Sequence, residues 1–329
     1  MDEMMAEQMI KIEALSRSYG SVKALDGIDL DVAKGEVVGF LGPNGAGKST
    51  TMRILAGLLA PTEGRVTIGG VDVVAQPEVA RRKIGYLPET PPIYDELSVR
   101  EYLTHLAALR RVPRKACRAA VDEAMARCGL LEVAERLLRN LSKGYRQRAG
   151  IAQAIVHRPD VVILDEPTVG LDPIQIREIR QLIRELGDQH AVLLSTHILP
   201  EVKMTCDRVA LINAGAIVMR ATMAELESRF QQRGEYLLRF APGPERDALQ
   251  QIAGVASVTP DGEEGWRMLP DEGADPLPEL LRHVVEQGWN LRELRPVGES
   301  LEELFLNLTT REEGVDSEAQ MDHSAGEAA

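Results

Sequence analysis

The sequence predicts an α/β domain on a largely parallel sheet, carrying an inserted helical subdomain and followed by a small α+β domain. Three observations predict it. Short apolar runs alternate with helical stretches from residue 10 to residue 212, stretch 95–158 breaks that rhythm by reading helical almost throughout, and residues 235–296 follow the order βαββαβ. The length of 329 residues suits two domains, at ~100–200 residues each.

Taken in order, residues 10–15, 28–32 and 37–41 are apolar bursts punctuated by Ser18, Gly20, Lys34 and Gly35, and are expected as strands. A glycine-rich turn precedes a helix over 48–57, then strands are expected at 65–68 and 84–86. The helical insertion, about residues 91–158, opens with Ser98 and Glu101, the spacing of a capping box before 102–110. Pro113 opens a second helix over 114–128, and a third runs from Ser142 to about residue 157. Strand 161–164, helix 173–186, strand 191–195 and strand 208–212 complete the first domain, expected to span 1–220.

Thr222 and Glu225 form another capping box, for a short helix ending near residue 230, and 231–234 is a polar linker. The second domain, 235–310, is expected as strand 235–240, helix 245–253, strands 255–260 and 266–269, helix 278–287 and strand 290–296, a ferredoxin-like split βαβ. A last helix starts at Ser300 with Glu303, and the acidic tail 311–329 is expected to be disordered because it has almost nothing to bury.

Composition narrows the function. Basic residues number 38 against 51 acidic ones, a net charge of −13, where a duplex-binding surface needs a basic excess. Aromatics at 4% weaken any binding mode built on stacked bases, so no nucleic-acid partner is expected. The three cysteines, Cys117, Cys128 and Cys206, make no CxxC pair and are expected as buried thiols of a reducing compartment, with no zinc. No apolar run approaches a membrane span and the start lacks a signal peptide, so a cytoplasmic chain is expected.

Residues Gly42, Pro43, Asn44, Gly45, Ala46, Gly47, Lys48, Ser49 and Thr50 match GxxxxGK[ST], between an apolar strand and a helix. Glycines let successive amides curve inward on an anion, and the helix offers its positive end. Lys48 would reach the β- and γ-phosphates, and the Ser49 hydroxyl would ligate Mg²⁺. Strand 161–164 ends in Asp165-Glu166. Beside a phosphate-binding loop, the first acid would hold Mg²⁺, commonly through its waters, and the second would polarise the attacking water.

With these motifs in view, about residues 10–220 resemble the ATPase subunit of an ABC transporter, a P-loop NTPase cassette. Leu141-Ser142-Lys143-Gly144-Tyr145-Arg146-Gln147 is similar to the family signature LSGGQ, Gly170-Leu171-Asp172 falls where the family has its D-loop, and Ser195-Thr196-His197 resembles its switch histidine. Tyr19 resembles the aromatic that stacks on adenine. The resemblance implies that one protomer binds ATP and Mg²⁺ with Tyr19, the 42–50 loop, Asp165 and Glu166. The opposite protomer aims Ser142 and the Gly144 amide at the γ-phosphate. Glu166 would orient or deprotonate water, and His197 would contact the γ-phosphate. The partners implied are a second copy or a related ATPase, and a separate multi-span permease that holds the chain at the cytoplasmic face of the membrane.

Two departures stand out. Glu89 occupies the family's Mg²⁺-facing glutamine position, keeping an oxygen but losing an amide donor. Lys143 replaces the first signature glycine, and Tyr145 its glutamine. Stretch 86–102 and the closing Ser300-Leu-Glu-Glu-Leu-Phe-Leu-Asn-Leu308 resemble the gliding-motility, multidrug and copper-processing export branch. In that branch, residues 90–97 lie where the ATPase grips its permease. The leading expectation is therefore an exporter ATPase. The alternatives are a soluble ABC-type ATPase acting on nucleic acid or ribosomes, and a module whose second domain senses a ligand.

Overall fold

The computed structural model describes residues 7–226, 235–262, 265–271 and 273–297. The chain divides into two compact units, Met1–Met223 and Ala224–Ala329.

The first unit opens with β1 (Gln8–Tyr19), β2 (Val22–Ala33), β3 (Val37–Leu41), α1 (Lys48–Leu55), β4 (Glu63–Ile68) and β5 (Val71–Asp72). After α2 (Pro77–Arg82) and β6 (Ile84–Leu87) come the inserted helices α3 (Val99–Leu109), α4 (Arg114–Arg127) and α5 (Lys143–Ile155). The unit closes with β7 (Val161–Asp165), α6 (Pro173–Gly187), β8 (Ala191–Thr196), α7 (Leu199–Thr205), β9 (Arg208–Asn213) and β10 (Ala216–Thr222).

Six strands form the main sheet in the order β10-β9-β3-β8-β7-β6, parallel except for the edge strand β10. Every residue of β3, β7 and β8 is buried. That is the pattern of parallel strands covered on both faces, and it explains their unbroken apolar runs. The first strands depart from the single parallel sheet expected. β1, β2, β4 and β5 make a separate antiparallel sheet in the order β2-β1-β4-β5. The cause is local: only Gly20 and Ser21 separate β1 from β2, and a two-residue link permits only a hairpin.

α1 touches β2 of the antiparallel sheet and β7 and β8 of the parallel one. Its Met52, Ile54 and Leu55 join one core with Ile10, Leu15, Ile28, Phe40, Ile163 and Leu193. The phosphate-loop helix is thus fixed from both sides. Helix α3 begins with the expected capping box: Ser98 Oγ accepts from the Glu101 amide at 3.3 Å, and Glu101 Oε2 accepts from the Ser98 amide at 2.8 Å. Helix α5 lies tight on β6, where a Cβ on Gly85 would stand 2.1 Å from the Ala154 carbonyl oxygen.

Helices α2 and α7 and strand β10 were not expected from the sequence. β10 turns back from β9 through Ala214 and Gly215, both at positive φ (45° and 78°), the conformation of a tight hairpin. It runs past residue 220 to Thr222.

The second unit consists of β11 (Glu235–Phe240), α8 (Arg246–Gln250), β12 (Val255–Pro260), β13 (Gly265–Pro270), α9 (Leu277–Glu286) and β14 (Leu291–Val297). Its sheet is antiparallel in the order β12-β13-β11-β14, so the βαββαβ chain closes as a split βαβ. Leu238, Phe240, Leu249, Val258, Met268 and Leu280 form its core. Helix α8 is shorter than the expected 245–253. The Gln250 side chain accepts from the Val258 amide and donates to the Ala256 carbonyl, tying the helix end to β12. Residues 223–226 are helical. The rest of the helix expected to reach residue 230, the helix expected at Ser300, the stretch 300–308 and the tail 311–329 lie outside the described residues.

Candidate functional site

Three neighbouring strands, β3, β8 and β7, end side by side, with Leu41 opposite Thr196 and Asp165 opposite Ser195. The 42–50 loop leaves the first, Ser195-Thr196-His197 closes the second, and Asp165-Glu166 closes the third. Residues far apart in sequence therefore converge at the carboxyl ends of parallel strands, where α/β sheets place their ligands.

A cavity of about 350 Å³ opens there, lined by Asn44, Gly45, Gly47, Lys48, Ser49, Thr50, Glu89, Glu166 and His197, together with Ala24 and Val169. Gly45 and Gly47 have φ of +83° and +104°. Gly47 caps α1, and a Cβ there would meet Leu25 Cδ2 at 2.7 Å and the Ala24 oxygen at 2.8 Å, so only glycine fits. The first amides of α1 lack helical acceptors and make a ready anion cradle. Lys48 is 6% exposed, and its ammonium donates to the carbonyls of Gly42 (2.7 Å) and Pro43 (2.9 Å). The Gly42 amide donates to the Thr196 carbonyl at 3.3 Å and the Ala46 amide to the Pro43 carbonyl at 3.4 Å, and Gly42, Pro43, Ala46 and Asp165 do not line the cavity.

The acids are held differently. Asp165 Oδ1 accepts from Ser195 Oγ at 2.5 Å and lies 3.4 Å from Ser49 Oγ. A hydroxyl and a carboxylate side by side suit Mg²⁺, which takes few protein oxygens and fills its shell with water and phosphate. Glu166 is 6% exposed, with Lys48 Nζ at 3.5 Å from one oxygen and His197 Nδ1 at 3.0 Å from the other. Burial raises its carboxyl above the usual carboxylate range, while His197 and Lys48 pull it down. A raised carboxyl on the cavity wall is what a proton acceptor requires.

Tyr19, Ser142 and Gly144 are absent from the lining of this cavity. Tyr19 is exposed at the end of β1, with the Arg17 guanidinium 4.7 Å from its ring centroid. Ser142 caps α5 by accepting from the Tyr145 amide at 3.4 Å. Gly144 sits against Gln175, whose side chain a Cβ would meet at 2.5 Å. Lys143 lies over Gly170 of the following loop, within 2.1 Å of the place a Cβ would take there. The signature segment is thus packed on its own chain's Gly170–Gln175 region.

The sequence pattern described as ABC transporter matches residues 25–169. Over 314 residues the chain is 37% identical to an ABC transporter ATP-binding protein of Bacillus subtilis (strain 168), YdbJ, covering 94% of this chain and 99% of that one. The chain belongs to the ABC transporter family. It is an ABC-type ATPase subunit that binds ATP with Mg²⁺. It is also 34% identical to the daunorubicin resistance ATP-binding protein DrrA3 of Streptomyces coeruleorubidus, over 93% of this chain and 97% of that one. A dimeric ATP-binding cassette solved in a post-hydrolysis state with ADP and Pi superposes with a TM-score of 0.59 at 26% identity, covering 65% of this chain and 99% of that one.

Several contacts of this ABC ATPase site left no signal in the sequence, although Ser195 and Thr196 stand in the histidine motif. Ser195 is fully buried and bridges the two acids, donating to Asp165 and accepting from the Glu166 amide at 3.0 Å. Thr168 and Thr196 both donate to Glu201, and all three are buried. Such contacts carry no spacing of their own; pairing across the sheet alone brings their residues together.

Proposed function

We propose that this subunit energises export through a separate permease, with two chains closing around ATP. The contact of Glu166 with both Lys48 and His197 carries the reading, because it joins a proton acceptor, a phosphate-binding cation and a switch residue on one cavity wall. In this reading the amides of Gly45, Gly47, Lys48 and Ser49 hold the phosphates, and the Lys48 ammonium turns from its carbonyl partners to the β- and γ-phosphates. Ser49, Asp165 and Glu89 hold Mg²⁺, which when bound neutralises phosphate charge. Glu166 takes the proton of the attacking water, and His197 holds the γ-phosphate side. Tyr19 stacks on the base, releasing Arg17.

Ser142 and Gly144 serve the partner's nucleotide. The positive end of α5 suits the γ-phosphate there, and the likeness to a cassette solved as a dimer with ADP and Pi supports a site shared between two copies. We place Tyr94 and Leu97 against the permease. Tyr94 is 46% exposed and stands edge-on to Tyr102 and His105 at 6.0 and 5.8 Å, an apolar step on the surface. Among the described residues no helix is long and apolar enough to cross a membrane. We assign the subunit to the cytoplasmic face, held there by its partner.

The test is purification of the Glu166→Gln chain from membranes in detergent with ATP and Mg²⁺. Co-recovery of a multi-span protein is expected, together with loss of hydrolysis and retained ATP binding. Recovery of a soluble dimer alone, or of nucleic acid or ribosomes, would overturn the export reading. Asp at Tyr94 and Leu97 should abolish that co-recovery while ATP binding persists.

A further inference from the structure

Glu201 opens α7 and is 1% exposed, yet it lies outside the motifs that define the site. Its two oxygens take one hydroxyl each: Thr168 Oγ1 donates to Oε1 at 2.5 Å, and Thr196 Oγ1 donates to Oε2 at 2.9 Å. Both threonines are buried. Thr168 follows Glu166 by two positions, and Thr196 immediately precedes His197. One carboxylate therefore ties the segment leaving β7, which carries Glu166, to the end of β8, which His197 follows, and Glu166 and His197 are themselves in contact at 3.0 Å.

Packing alone does not account for this. A carboxylate buried for stability is a poor choice, since its desolvation offsets what it gains, and an apolar side chain would fill the space at less cost. Here the nearest cation, Arg180 of α6, stands 3.9 Å away. What the carboxylate offers is two strong acceptors facing two different loops. One of those loops needs holding, because Glu166 has a φ of +48°, a conformation that persists only where the surroundings impose it. Its amide is held from β8 by the Ser195 oxygens, at 3.2 Å from the carbonyl and 3.0 Å from the hydroxyl. Thr168 is the next side-chain anchor along the chain, and the Thr196 oxygen also accepts from the Ile198 amide at 3.0 Å, fixing the backbone on both sides of His197.

We propose that Glu201 is a positioning residue that locks the Glu166 segment to the His197 segment, so that proton acceptor and switch histidine move as one unit. The inference rests on the roles proposed above for Glu166 and His197. The lock acts on the hydrolytic step and leaves the phosphate cradle, which is built on β3 and α1, untouched.

The test is steady-state ATP hydrolysis by the full chain carrying Glu201→Gln, Thr168→Val or Thr196→Val, with nucleotide affinity measured separately. Each is expected to lower kcat by about tenfold while KM and ATP affinity stay within about twofold. Glu201→Gln combined with Thr168→Val should be little worse than either alone, since both break one link. Unchanged kcat in folded variants, equal losses in kcat and affinity, or fully multiplying effects would each overturn the proposal. The threonine variants leave the carboxylate facing Arg180, so the test stands even where Glu201→Gln fails to fold. Glu166→Gln is assayed alongside. Retained hydrolysis there refutes the role of Glu166 itself. Loss of hydrolysis there, with the three lock variants at wild-type kcat, refutes only the lock.

Discussion

Glu166 carries a charge that burial disfavours, and that has a measurable consequence. Its folded pKa is raised by burial, so the folded chain binds its proton more tightly than the unfolded chain. The contribution to stability therefore falls as pH rises through that window, and the buried charge is a burden at neutral pH. Glu166→Gln is expected to raise the thermal midpoint near neutral pH while abolishing hydrolysis, the gain shrinking as the pH is lowered; calorimetry checks it. His157 behaves in the opposite sense. Burial, helped by Arg110, pushes its imidazole down to about 4, and its Nε2 bonds to the Ile84 carbonyl at 3.0 Å. Between the ordinary histidine value and about 4, the unfolded chain takes up a proton that the folded chain refuses. Stability thus falls as pH drops through this window, by up to ~3 kcal/mol. Urea midpoints should fall less steeply with acid in His157→Gln than in the wild type. The sequence named Glu166 through its place after an apolar strand. His157 had no such context, because its shift comes from groups that only folding brings near.

Among the elements, those with local causes were legible. The Ser98–Glu101 capping box is present with both bonds, and strand 37–41 has the bounds read from its apolar run. Asp172, read only as part of a D-loop, also caps α6, accepting from the amides of Ile174 and Gln175 at 3.0 Å each. Asp172→Ala should cost ~1 kcal/mol through the lost cap, seen as a shift in urea midpoint without change in slope. Contact between elements was not legible. Gly85 reads as an ordinary strand residue, yet it sets how closely β6 meets α5. Gly85→Ala is expected to destabilise by about 1–3 kcal/mol, because backbone must move to admit a methyl group. Strand β10 was missed because its signal, Ala214-Gly215, is a turn whose meaning depends on a partner strand.

Across the whole molecule, the shared site proposed for Ser142 leads to a complementation prediction. A chain with Lys48→Ala keeps its signature, and one with Ser142→Glu keeps its phosphate loop. Each alone should hydrolyse ATP poorly, and mixing them should restore activity to at most about a quarter of wild type, since only mixed dimers hold one intact shared site. A mixture as inactive as its components would show that the site is not shared in this way. Much of the chemistry was legible in the sequence: GxxxxGK[ST] and the paired acids follow from residue type and spacing, because phosphate recognition depends on local backbone freedom and charge, whereas the signature and the histidine were legible only through the family resemblance. The βαββαβ order of the second unit was equally legible, since apolar periodicity reports which face of each element is buried. The tertiary structure alone decided that the first strands form a separate antiparallel sheet, that Ser195 bridges Asp165 and Glu166, and that Glu201 joins Thr168 to Thr196. Those facts arise from pairing and packing between distant segments, which are set by the burial of the whole core and leave no mark in the spacing of nearby residues.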